Sequence, residues 1–85
     1  MYLEIITPTN KLFSGEVALV KLPGSSGSFE ILKDHAPIVS SLEKGIIKLV
    51  DNNKQTHFYN ITGGVVECRI NKIIVLADSG EAAQI

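Results

Sequence analysis

The stretch GIIKLVDNNKQTHFYNI, residues 45–61, reads as one β-hairpin. Gly45 to Val50 is rich in β-branched residues, which fit the pleated, half-buried surface of a strand. Asp51-Asn52-Asn53-Lys54 carries the Asn and Asp chemistry of a hairpin turn, because these side chains bond their own backbone and tolerate left-handed conformations. The return strand takes Gln55 to Thr62, with Phe58, Tyr59 and Ile61 along it.

The same rhythm extends in both directions. Short apolar runs are broken by turn residues at the spacing of a sandwich or barrel. Upstream, Leu3 to Thr7 ends at Pro8, and Glu16 to Leu22 ends at Pro23-Gly24. Gly24 to Gly27 is a loop, and Ser28 to Leu32 a short strand. Downstream, Gly63-Gly64 turns the chain. Val65 to Ile70 and Lys72 to Asp78 form a last pair joined at Asn71-Lys72. In that last strand Ile73, Val75 and Ala77 face one way, and Ile74 and Leu76 the other. Both faces are apolar, so the strand belongs inside a sandwich or under a partner. Helical signals are weak. The spacing of Ile38, Val39 and Leu42 admits a single turn over Ser40 to Lys44. The tail, Ser79 to Ile85, begins as a helix would, with Ser79 as cap and Ala82 and Ala83 inside. A helix that short does not hold alone in water.

Eighty-five residues suffice for one small domain. Such a chain buries only about 60–65% of the surface its unfolded form exposes, so its core is thin and leaves little room for a deep catalytic cleft. The net charge of −1 comes with no basic stripe, which excludes a nucleic-acid footprint. Every apolar run falls far short of the ~20 residues that span a bilayer. The start, MYLEIITPTN, lacks the basic residues and apolar core of a signal peptide. One cysteine, Cys68, leaves no intrachain disulfide, as expected of a soluble protein in a reducing compartment. With only Arg69 as a basic neighbour, Cys68 reads as a small buried apolar residue rather than a nucleophile.

Chemistry has few carriers here. His35, His57 and Cys68 are 22 and 11 residues apart, which is no zinc-site spacing. His57, in mid-strand, reads as an exposed or interface residue. Asp34 beside His35, with serines elsewhere, formally allows a triad. Neighbours in an extended chain point apart, however, and no nucleophile elbow is present. The glycines match neither a P-loop nor a dinucleotide fingerprint. No catalytic, cofactor-binding or metal-binding residue is assigned. The segment GSFEILKDHAPIVSSL, residues 27–42, is different. Pro37 holds Ala36 extended, so Lys33 to Pro37 is a stiff loop. Carrying Phe29, Glu30 and His35, it is either a contact element or an ordinary sandwich corner.

A set of short motifs runs the length of the chain: Leu3-Glu4-Ile5-Ile6-Thr7-Pro8, Leu12-Phe13-Ser14-Gly15-Glu16-Val17, Leu22-Pro23-Gly24, Gly27-Ser28-Phe29, Ile31-Leu32, His35-Ala36-Pro37, Gly63-Gly64-Val65-Val66-Glu67 and Val75-Leu76-Ala77-Asp78. Their order and spacing resemble the N-terminal domain of the epsilon subunit of F-type ATP synthase, whose mitochondrial counterpart is called delta. The resemblance implies an all-β fold, a ten-stranded β-sandwich over residues 1–80. The family usually continues into a C-terminal hairpin of two helices; here the expectation is a departure from it, with 81–85 a short tail and no C-terminal helical domain. It implies a non-catalytic rotor subunit in the central stalk, without cofactor, that links the gamma shaft to the c-ring and so couples ion-driven rotation to ATP synthesis. Its partners would be the gamma subunit, the c-ring and, indirectly, the αβ hexamer. Its place would be peripheral, at the cytoplasmic face of the bacterial inner membrane.

The positions that match the family's c-ring contacts are Ser28, Phe29, Glu30, Asp34 and His35. Those that match its gamma contacts are Thr7, His35, Ser40 and Leu42. The family's frequent acid stands at Ser28, and Glu30, two residues on, is expected to supply that charge. The family's usual Pro-Gly before the histidine is Lys33-Asp34 here. Two further readings stay open: a stand-alone β-sandwich binding module, which needs a concave pocket with convergent polar groups, and a small hydrolase using His35 and a serine.

Overall fold

A computed structural model describes residues 1–84. The central hairpin sets the pattern. Gly45–Asp51 and Thr56–Ile61 pair antiparallel, from Gly45 opposite Ile61 to Val50 opposite Thr56. Asp51 organises the turn between them. Its Oδ1 accepts from the backbone N–H groups of Asn53 and Gln55, each at 2.9 Å, and its Oδ2 accepts from His57 Nε2 at 2.9 Å. Lys54 takes the left-handed conformation (φ 65°) that closes such a loop. The His57 contact first, and then the Gln55 N–H, hold the Asp51 carboxyl below the usual carboxylate range.

Seven further strands complete the domain. In chain order they are β1 (Tyr2–Ile6), β2 (Lys11–Leu22), β3 (Phe29–Leu32), β4 (Ile38–Leu42), the hairpin strands β5 and β6, then β7 (Gly64–Arg69), β8 (Lys72–Ala77) and β9 (Gly80–Ala83). Hydrogen bonds connect them along the path β4-β7-β8-β1-β2-β5-β6-β9, with β3 also on β2. One layer holds β4, β7, β8, β1 and the first half of β2. The other holds the second half of β2 with β3, β5, β6 and β9. β1 and β8 run parallel, and the other pairs are antiparallel.

The class agrees with the sequence reading, but the strand count is nine among the described residues rather than ten. β2 is the reason. It begins at Lys11, upstream of the expected Glu16, and passes unbroken through both layers. A register shift between Val17 and Leu19 bends it from one layer to the other, as an extra residue in a ladder does. Two other expectations are corrected. The residues allotted to a helical turn, Ser40 to Lys44, start inside strand β4, where Ile38 to Leu42 pair with β7. The tail is not helical at its start, because Gly80–Ala83 adds to β6 as β9. As an edge strand its inward-facing backbone groups bond β6, whereas one isolated helical turn would leave most of its groups open. Ile85 of that tail lies outside the described residues.

The core lies between the layers. Leu3, Ile5, Val20, Leu22, Ile31, Ile47, Leu49, Val66, Ile73 and Val75 are completely buried. Cys68 is buried among them, and burial pushes its thiol pKa up, which keeps it unreactive. On the outer face of β1, Glu4 lies between Lys11 (2.9 Å) and Lys72 (3.6 Å), and the Lys11 contact lowers its pKa.

Candidate docking surface

β3 and β4 are joined across the two layers by Lys33 to Pro37. His35 N–H donates to Leu32 C=O at 3.2 Å, closing a four-residue turn. Asp34, third in that turn, has φ 67°, while Lys33 before it does not enter the left-handed region. That is the type II pattern, which favours Pro second and Gly third. Lys33-Asp34 therefore keeps the path that a Pro-Gly pair would specify, at the cost of a left-handed aspartate. Asp34→Gly should stabilise the domain by about 0.5–1 kcal/mol, because the Cβ penalty exceeds the entropy glycine adds to the unfolded chain. Urea unfolding of the two proteins measures it, and an unchanged or lower midpoint would contradict this account of the turn.

His35 Nδ1–H donates to Ala36 C=O at 2.6 Å, so this ring nitrogen is engaged within its own loop rather than by Asp34. Asp34 and His35 line a small hollow of about 230 Å³ with Met1, Cys68 and Asn71. Ser28 and Phe29 lie at the opposite end of β3, about 10 Å away along four strand residues. There the loop after β2 ties onto β4: Gly24 bridges Leu42, Ser25 N–H donates to Ser41 C=O at 3.1 Å, and Glu43 N–H donates to Pro23 C=O at 2.9 Å. Glu30 points outward from β3, directly opposite Lys21 on β2, yet makes no ion pair among the described residues. The five positions matched to ring contacts thus form two groups, one at each end of β3.

The positions matched to gamma contacts divide as well. Thr7 and Leu42 share a groove of about 740 Å³, while Ser40 lies half-buried on β4 and His35 at the far end of that strand. The Thr7 hydroxyl is already used. It accepts from Asn10 N–H at 3.0 Å and lies 3.2 Å from Asn10 C=O, closing the β1–β2 turn. Thr7 is therefore a buried wall of the groove rather than a free hydrogen-bonding group.

Other residues line this groove that had no place in the sequence-derived site. Ile6 on β1, Leu76 on β8 and Val65 on β7 stand in one cross-strand row on the outer face. Leu76 is 50% exposed and Val65 36%, with Val39 on the edge strand 70% exposed. Asp78, two residues beyond Leu76 in the chain, flanks the middle of the row. The sequence did carry one signal for it: β8 is apolar on both faces. Ile73, Val75 and Ala77 enter the core, while Leu76 opens to solvent, so the strand is not enclosed on both sides.

Among the described residues, no group of three or more His, Cys, Asp and Glu side chains gathers to hold a metal ion. No helix there is long and apolar enough to cross a membrane.

Over residues 1–83 the chain matches the family described as ATP synthase, Delta/Epsilon chain, beta-sandwich domain. It is 42% identical over 82 residues to the ATP synthase epsilon chain of Pelotomaculum thermopropionicum, covering 96% of this chain and 60% of that one. The epsilon chain of Campylobacter curvus is 41% identical over 78 residues, covering 92% and 60%. That of Chlorobium limicola is 41% identical over 76 residues, covering 89% and 86%. The chain thus spans about 60% of the length of the first two of these relatives. Among solved structures, a chain of the Euglena gracilis mitochondrial ATP synthase OSCP/F1/c-ring assembly superposes with a TM-score of 0.87 at 18% identity, over 94% of this chain and 51% of that one. A chain of the Tetrahymena thermophila mitochondrial ATP synthase central stalk/c-ring gives 0.77 at 17%, over 94% and 64%. At such low identity these two likenesses concern the fold.

Proposed function

The chain belongs to the delta/epsilon β-sandwich family of ATP synthase subunits, and on that premise we propose that it is a non-catalytic rotor element of the central stalk. In this reading it joins the gamma shaft to the c-ring, so that ion-driven rotation reaches the αβ catalytic sites as torque. It is peripheral, at the cytoplasmic face of a bacterial inner membrane, and needs no cofactor.

The observation that carries the reading is the uncovered aliphatic row of Ile6, Leu76 and Val65 beside the groove. A face that places leucine and valine side chains together in water gains free energy when a partner covers it. We assign this face to gamma. Leu42 and Thr7 form the groove wall, with Ser40 on β4 and His35 in the loop before it. The loop groups Ser28-Phe29-Glu30 and Asp34-His35 are assigned to the ring. A joint that carries torque requires a specific interface of about 1,200–2,000 Å² in total.

A tagged chain, returned to its native membranes and recovered, tests the reading. Gamma and the c subunit should both be retained, and recovery of neither would refute it. Glu30→Lys tests the ring-facing group in the same experiment. Glu30 makes no ion pair among the described residues, but Lys21 stands opposite it, so thermal unfolding is followed alongside. Glu30→Gln, which removes the charge without setting a second lysine against Lys21, serves as the control. Retention of the c subunit should fall severalfold while gamma is kept. Undiminished retention of the ring would remove Glu30 from that contact.

A further inference from the structure

Resting on the gamma assignment above, we infer that the groove selects a segment that brings a lysine or arginine to Asp78 and an aliphatic side chain to Leu76 and Val65. Asp78 is the single ionisable side chain on the groove's lining. The carboxylates on the neighbouring outer face are already neutralised, Glu4 by Lys11 and Lys72 and Glu67 by Arg69. Asp78 makes no ion pair among the described residues.

Its backbone is tied to the start of β7, and its carboxylate has room there. Its backbone N–H donates to Gly63 C=O at 2.9 Å. Its Oδ2 lies 3.1 Å from where a Cβ on Gly63 would stand, so the missing side chain of Gly63 leaves the carboxylate room against the start of β7. The other polar side chain on the lining, Thr7, is consumed in its own turn. The groove therefore offers one anionic point beside the centre of an aliphatic row.

That arrangement discriminates. An occupant without a cation would cover Asp78 and leave a desolvated, unpaired carboxylate, which is costly. An acidic occupant would add repulsion. A segment with one basic residue next to an aliphatic one satisfies the carboxylate and the row together. Asp78 thus sets which partner segment is accepted and in what orientation.

The test is binding of the purified gamma subunit of the same synthase, measured against ionic strength, with thermal unfolding of each variant alongside. Asp78→Asn keeps shape and removes charge. It should unfold at the wild-type temperature, weaken binding about tenfold at low salt and flatten the salt dependence. Asp78→Lys should weaken binding further. Leu76→Asn serves as the groove control. If Asp78→Asn binds as wild type while Leu76→Asn fails, the groove docks gamma but the cationic requirement is wrong. If both variants bind as wild type, gamma sits elsewhere: the inference falls and the stalk reading stands. If the wild-type chain does not bind gamma, both fall.

Discussion

Gly64→Ala is expected to lower the melting temperature more than any of the surface substitutions. Gly64 opens β7 with φ 153°, a region that L side chains rarely adopt. A Cβ there would stand 2.2 Å from the Leu76 carbonyl oxygen and 2.9 Å from the Ala77 Cα. Both are backbone atoms of β8, so no rotamer change relieves the contact, and the two strands must separate. Gly64 lies between Leu42 on β4 and Ala77 on β8, so three strands shift together. Backbone strain and overpacking add to about 3–5 kcal/mol. A domain of this size holds roughly 4–13 kcal/mol in all. Thermal unfolding should move down by about 15–30 °C at the scale for small domains. A melting temperature within a few degrees of wild type would show that β7 and β8 can part cheaply at this point.

Leu76→Asn should do the reverse: leave the fold and remove the function. Leu76 is half exposed and faces away from the core, so the substitution costs stability about 1 kcal/mol or less, mainly through strand propensity. Under the proposed gamma contact the same side chain becomes the centre of a covered aliphatic row. An amide there loses the apolar burial and must be desolvated, which weakens binding roughly tenfold to a hundredfold. Asparagine is preferred to aspartate, because a second carboxylate beside Asp78 would attract the cation the partner is inferred to carry. The readouts are gamma affinity and urea unfolding on the same sample. Equal affinity with an intact fold would detach the aliphatic row from the stalk contact.

The two residues differ in how visible they are in the sequence. Gly63-Gly64 reads locally as a turn. Only the ladder shows that Gly64 is already a strand residue pressed against β8. Leu76 is half legible: the double apolar alternation of β8 announces a second covered face, without saying what covers it. Asp78 closes one of the family motifs but gives no signal of a site, because an aspartate at a strand's end is ordinary turn chemistry. The Lys33-Asp34 turn is the opposite case. The departure from Pro-Gly suggests a changed path, yet the left-handed Asp34 preserves it.

Where the sequence reading missed structure, the cause was pairing with another strand rather than the segment's own pattern. Lys11 to Gly15 has no clean alternation, and it becomes strand because β1 pairs with it. Gly80–Ala83 has helix-tolerant composition, and β6 recruits it as an edge. Ladder hydrogen bonds outweigh propensity differences of this size, since propensity is a weak prior over a few residues.

The amino-acid order was enough for what local chemistry decides. It specified an all-β chain, the Asp51 hairpin, the buried alternation of β8 and the succession of motifs that marks the family. Tertiary structure alone decided that Ile6, Val65 and Leu76 form one row and that Asp78 shares its groove. The pairing that joins them sets β1 against β8 in parallel, bringing Ile6 opposite Leu76 across most of the chain. Backbone donors and acceptors are the same at every residue, so a strand's own sequence does not name its neighbour. That choice is made by the shared core that buries Leu3, Ile5, Ile73 and Val75 at once.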